Sequence, residues 1–182
     1  MGRCKNCREK FEPRFSTLEK YCWKQDCKLI EAMQKLEQNK KKASVDWNKK
    51  KAQIKKSLLT NSDYLKMAQQ VFNSWIRMRD KGQMCISCEK RALKENAGHY
   101  FSSGGHSNVR YNEDNVHLQC EYCNTYLSGN LLNYQLGIEK RIGGERLLKL
   151  HEIAHAEKRW SKQELEEIIV KYKQKCKEWK QL

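Results

Sequence analysis

Between Thr60 and Gly82, apolar residues recur at helical spacing. Tyr64, Leu65, Ala68, Val71, Phe72, Trp75, Ile76 and Met78 fall on one face, and polar residues fill the other. Asn61 or Ser62 is placed to cap this helix, and Lys81–Gly82 to end it. The segment before it, residues 28–58, lacks Gly and Pro and is made mostly of helix formers. Its apolar points are sparse: Met33, Leu36, Trp47, Ile54 and Leu58. The lysine runs 40–42 and 49–51 are too dense for a buried face, so the pattern predicts an exposed basic helix. Downstream, "SGNLLNYQLGIEKRIG" predicts a helix starting near Ser128 and broken by Gly143–Gly144. "ERLLKLHEIAH" resumes it. A Ser161-x-x-Glu164 capping box then opens an amphipathic C-terminal helix.

The fold class expected is therefore mainly α, and cysteine spacing adds small zinc-stabilised modules to it. Eight of the nine cysteines fall into four close pairs; Cys176 is left over in a lysine-rich helix. Cys4, Cys7, Cys22 and Cys27 form one quartet, and Cys85, Cys88, Cys120 and Cys123 a second. Paired short spacings favour metal over disulfides, and four thiolates favour tetrahedral zinc. A site closed by four sulfurs cannot activate water, so both zinc ions are expected to be structural. A piece as small as the first quartet cannot fold on an apolar core alone. Four segments are expected: a zinc knuckle at 1–30, a basic helical arm at 31–60, a zinc-stabilised core with its supporting helix at 61–143, and C-terminal helices at 144–182.

Charge narrows the partners. With 37 Lys and Arg against 22 Asp and Glu, the net charge is +15, which predicts a polyanion. At 38% hydrophobic residues and a mean hydropathy of −0.96, material for one large core is scarce. No apolar stretch is long enough to span a membrane. The N-terminus has no apolar signal region, and Asn6 breaks the myristoylation pattern. A cytoplasmic, DNA-associated protein is expected.

Between the second pair of knuckles, a short segment pinned at both ends carries His99, His106, Asp114, Asn115 and His117, with Asn124 directly behind Cys123. The order Cys-x-x-Cys, "GHY", "NEDNVHLQC", Cys-x-x-Cys-Asn resembles an HNH, or ββα-metal, nuclease core with a four-cysteine zinc. The layout is similar to that of recombination endonuclease VII. Over nearly the whole chain, "PRFST", "CISC", "AGHY", "VRYNEDNVHLQCEYCNTYLSGN" and "GIEKRIG" resemble the NinG (Rap) recombination-protein family of lambdoid phages.

That resemblance implies an endonuclease for branched DNA such as Holliday junctions and D-loops. It implies His99 as general base, Asn115 as the residue that orients it, and Asn124 as ligand of one catalytic Mg2+ or Mn2+. Arg110, Lys140 and Arg141 are placed to hold phosphates, and Lys40, Lys41 and Lys42 to grip backbone. HNH enzymes commonly place Asp just before the base, whereas here that residue is Gly98. Three substitutes are open. His99 can bind metal while His117 or a water network acts as base. Asp114 or another acid can reach across. Or Asn124, waters and substrate phosphate can suffice. His117 therefore stands as a second candidate base. A homodimer fits the two symmetric cuts that resolve a junction, with host recombination machinery as a further partner. The rival readings are a non-catalytic zinc protein that stabilises branched DNA and, more weakly, an RNA-directed enzyme.

Overall fold

The computed structural model describes residues 2–181, which divide into two compact units, one up to Leu59 and one from Thr60 onward. In the first unit, β1 (Gly2–Arg3) pairs antiparallel with β2 (Lys10–Phe11) and starts the knuckle. Helix α1 (Gln25–Ser57) follows without a break, because Cys27, the last residue of the quartet, lies in its first turn. Among the described residues of this unit, buried Cys4, Tyr21, Cys22 and Cys27 cluster into a core so small that a metal held by the quartet would be needed to support it. Beyond it α1 is exposed, and Lys40, Lys41 and Lys42 all face solvent, as expected of a basic helix.

The second unit opens with α2 (Asn61–Arg79). Its cap is Thr60, one residue earlier than the pattern predicts. The Thr60 hydroxyl accepts from the Asp63 amide, and the Asp63 carboxylate accepts from the Thr60 amide at 2.9 Å. This capping box outcompetes Asn61, whose side chain instead donates to the Trp160 carbonyl. The predicted stripe is core: Tyr64, Ala68, Phe72, Trp75 and Ile76 are buried. Against it lies α5 (Lys162–Trp179), which buries Leu165, Ile169 and Tyr172 and starts with the expected Ser161–Glu164 box. Phe72 sits edge-on to Tyr172 at 4.8 Å and to Tyr111 at 5.7 Å. The C-terminal helices thus belong to the same compact unit as the central segment.

Two strands carry the region between the knuckles. β3 (Glu95–His99) and β4 (Val116–Cys120) pair antiparallel, with Gly98 opposite His117 and His99 opposite Val116. β4 runs into a wide helical turn, Tyr122–Tyr126. Helix α3 (Leu131–Ile142) starts three residues later than the sequence predicts. Ser128, Gly129 and Asn130 all adopt positive φ (49°, 91° and 44°), which ends the turn before α3 begins. α4 (Gly144–Ala154) follows after Gly143 at φ 81°. Ile86, Val109, Tyr134, Ile138, Leu147, Leu150 and Ala154 close a second core between α3, α4 and the loops. No described helix is long and apolar enough to cross a membrane.

Candidate functional site

Both cysteine quartets converge. Within each, all four sulfurs lie within 4.8 Å of one another. Cys7 and Cys22 sulfurs are 3.6 Å apart and those of Cys88 and Cys120 3.8 Å. Zinc–sulfur bonds of about 2.3 Å in a tetrahedron place sulfurs about 3.8 Å apart, so the donor sets fit zinc. N–H groups point at the sulfurs: Cys22 N to Cys4 at 3.2 Å, Cys123 N to Cys120 at 3.4 Å, and Asn130 Nδ2 to Cys123 at 3.5 Å. Burial pushes the Cys4 and Cys85 thiols up, but backbone N–H groups outweigh it and hold them at about 6 and about 7. Such donors stabilise the thiolates that would hold zinc.

The second knuckle fixes the end of β4, and β4 fixes β3. Three polar side chains complete the frame. Tyr134 of α3, fully buried, donates to the Gly98 carbonyl at 2.8 Å and accepts from the His117 amide at 3.1 Å. Arg79 clasps Asp80 with two bonds (2.7 and 2.9 Å) and donates to the carbonyls of Glu113 and Val116. Asp80 accepts from the Leu118 amide at 2.9 Å. Burial raises the Asp80 carboxyl pKa, but Arg79 and Leu118 reverse this and keep it ionised. Sequence inspection passes over Arg79–Asp80, although an Arg-Asp pair ending an apolar stripe is a signal of such a clasp.

His99 ends β3 on the wall of a groove of roughly 360 Å³, shared with Tyr100, Phe101, His106, Ser128 and Leu131. Its Nε2 lies 3.2 Å from the Arg110 carbonyl. The ring also meets the Ala97 carbonyl, and the Gln69 amide nitrogen lies 3.5 Å from the same Nε2. Burial drives the His99 pKa down to about 4, aided by the Arg110 charge, so the ring is neutral at pH 7. Arg110 is held close by Gln69 of α2, whose Oε1 accepts from its Nε at 2.8 Å. Asn115 is fully buried: its Oδ1 accepts from Phe101 N (2.8 Å), and its Nδ2 donates to the carbonyls of Phe101 (2.9 Å) and Val109 (3.1 Å). Tyr100 N donates to the Asn115 carbonyl at 2.9 Å. Asn115 thereby ties the chain just after His99 to the start of β4.

The other candidates lie elsewhere. His117 is buried beneath β4, with Nε2 3.1 Å from the Asp114 carbonyl and Nδ1 3.1 Å from Arg79. Both ring nitrogens are engaged, and burial followed by the Arg79 charge lowers its pKa to about 4. The Asp114 carboxylate is paired with Arg146. Arg141 turns inward: it donates to the Met84 carbonyl at 3.2 Å and approaches Asp80 at 4.0 Å. Lys140 is exposed and pairs with Glu89 at 2.9 Å. Asn124 sits half-buried in the wide turn rather than on α3.

Gly98 leaves no room for an acidic side chain. A Cβ there would collide with the Gln119 amide and lie 3.0 Å from Gln119 Cβ. Gln119 is fully buried, and its Nε2 donates to Ser87 Oγ (2.7 Å) and to the Gly129 carbonyl (2.6 Å). The place of an acidic side chain is thus taken by an amide that pins the positive-φ loop at 128–130. Strain at such positions persists only where neighbours over-determine it. Residue 98 does not fit a metal ligand, while the carboxamide of Asn124 remains a donor of the hard-oxygen kind.

With this geometry in view, the chain matches the family model described as Bacteriophage Lambda NinG protein over residues 1–181. It belongs to the NinG family. It is 35% identical to Protein ninG of Escherichia phage lambda over 190 residues, covering 97% of this chain and 92% of that one. Protein ninG of Escherichia phage 933W is 35% identical over 186 residues and that of Salmonella phage P22 34% over 190, with the same coverage. No solved structure matches. The family match spans both cysteine quartets and the hairpin, so it covers both units.

Proposed function

We propose that the protein is a divalent-metal-dependent endonuclease of recombination, acting on branched DNA such as Holliday junctions and D-loops. The observation that carries this reading is the setting of His99. It is neutral, fixed by Arg110 and the Asn115-braced loop, and opens on a groove. A neutral imidazole on a groove wall is suited to take a proton from water. Arg110, held by Gln69 beside it, supplies the positive charge a scissile phosphate needs. Asn124 would contribute one oxygen to a Mg2+ or Mn2+ ion, with phosphate and waters completing its shell. Such an ion neutralises the phosphate and the leaving oxygen. His117 acts in this reading as a packed, hydrogen-bonded support rather than a base. Lys40, Lys41 and Lys42 grip backbone, and a homodimer would make paired cuts.

The antiparallel hairpin, the knuckle and the turn that bears Asn124 support the proposal. One observation favours a second reading, a protein that binds branched DNA without cutting: Gln119 excludes an acid at residue 98. The two separate in one experiment. A synthetic four-way junction and a linear duplex of the same sequence are incubated with wild type, His99→Ala and Asn124→Ala, with and without Mg2+ or Mn2+. Metal-dependent cutting of the junction, lost in both variants while binding persists, supports the nuclease. Binding without cutting by wild type supports the second reading.

A further inference from the structure

The N-terminal unit holds seventeen Lys and Arg against seven Asp and Glu, a net of +10 out of the chain's +15. Within this basic unit, the loop between β2 and α1 displays two large apolar side chains. Phe15 is 83% exposed and Leu18 82%. The loop is not loose. The Glu19 carboxylate accepts from the amides of Arg14 (3.2 Å) and Phe15 (3.0 Å), Leu18 N donates to Ser16 Oγ (3.2 Å), and Glu19 N donates to the Ser16 carbonyl (3.0 Å). Glu19 thus spends its charge on the loop's own backbone. Pro13 stiffens the entry. Behind the loop stands Trp23, edge-on to Phe15 at 5.3 Å. Arg14 lies 5.2 Å and Lys28 4.3 Å from its ring centre.

We infer that Phe15 and Leu18 form a wedge that enters the base stack at a DNA branch point, flanked by phosphate contacts from Arg14 and Lys28. A rigid loop that holds apolar side chains in water and cations at their sides matches how proteins unstack bases and bind exposed ones. The positive charge favours nucleic acid over an apolar protein partner. Branch points are where stacking is already interrupted, so insertion costs least there, and the wedge would supply selectivity by shape without reading sequence. This inference rests on the proposed branched-DNA substrate but not on cleavage.

The test uses the zinc-loaded full chain without added divalent metal. The DNA is a four-way junction carrying 2-aminopurine at the branch, with a matched linear duplex. Wild type should raise the fluorescence on binding, as the base leaves the stack. Phe15→Ala/Leu18→Ala should abolish the rise and weaken junction binding between about fivefold and about a hundredfold. Its affinity for the linear duplex should stay within about twofold. Both positions are exposed, so the variant should fold and hold its zinc. A rise and junction preference that survive in the variant overturn the wedge. So does an equal loss on the linear duplex, which marks a plain backbone contact. A wild-type dimer that becomes monomeric in the variant assigns the loop to a second copy instead. A wild type that unstacks the branch yet never cuts with Mg2+ keeps the wedge and rejects the nuclease.

Discussion

Gly98→Ala asks whether Gln119 occupies the space beside His99. In an open strand, alanine should stabilise by roughly 0.5–1 kcal/mol, because glycine loses more chain entropy on folding. Here the new Cβ would meet Gln119 Cβ and Cδ at 3.0 Å and overlap its amide oxygen. Overpacking of this kind costs about 1–3 kcal/mol. If the amide yields, its bonds to Ser87 and Gly129 go as well, at about 1 kcal/mol each. Gln119 is fully buried and cannot turn to water. The expected sum is a loss of about 2–4 kcal/mol. The assay is urea unfolding of the zinc-loaded protein, with Gln119→Ala and the double variant completing a cycle. Gln119→Ala should cost stability alone, and adding Gly98→Ala to it should cost little more. A Gly98→Ala midpoint that is unchanged or raised would refute the packing, and with it the physical account of the missing acid.

Zinc content should be two per chain, and Cys88→Ser should leave one; a wild-type value of one would remove a quartet. His99 and His117 are held neutral in the fold at about 4 against 6.5 unfolded. Below pH 6.5 the unfolded chain therefore binds more protons, so their stabilising contribution, present above pH 6.5, is lost as pH falls toward 4. Replacing both by Gln should flatten that part of the stability profile, and an unchanged slope there would show that the rings titrate normally. Changing Lys40, Lys41 and Lys42 to Gln should weaken binding to all DNA sequences and reduce the salt slope by about 1 per lysine in phosphate contact. An unchanged slope would place the backbone contact elsewhere.

Both cysteine quartets and the α2 and α5 faces are legible in the sequence because their rules are local: thiol spacing, helical period and a capping box. The convergence of Cys4 with Cys27, and of Cys85 with Cys123, follows from those spacings and is what the structure shows. The start of α3 is not legible, because it depends on Ser128 and Asn130 taking positive φ, which Gln119 and Cys123 enforce from a distance. The choice between two histidines is likewise tertiary. In sequence His99 and His117 look alike, whereas in the fold one lines a groove and the other faces Arg79. Arg141 and Lys140 read alike as phosphate contacts, whereas in the fold Lys140 is exposed and Arg141 is partly buried, because α3 turns it toward Asp80. Gly98 shows most clearly what sequence omits: the residue that fills its space is twenty-one positions away.

The most direct measurement is junction cleavage by wild type and His99→Ala at equal junction occupancy, with and without Mg2+. The reading predicts metal-dependent cutting by wild type and a loss of at least about a hundredfold in the variant, the lower range for a positioned general base. Equal cleavage by the two proteins, or none by wild type bound to the junction, would contradict it.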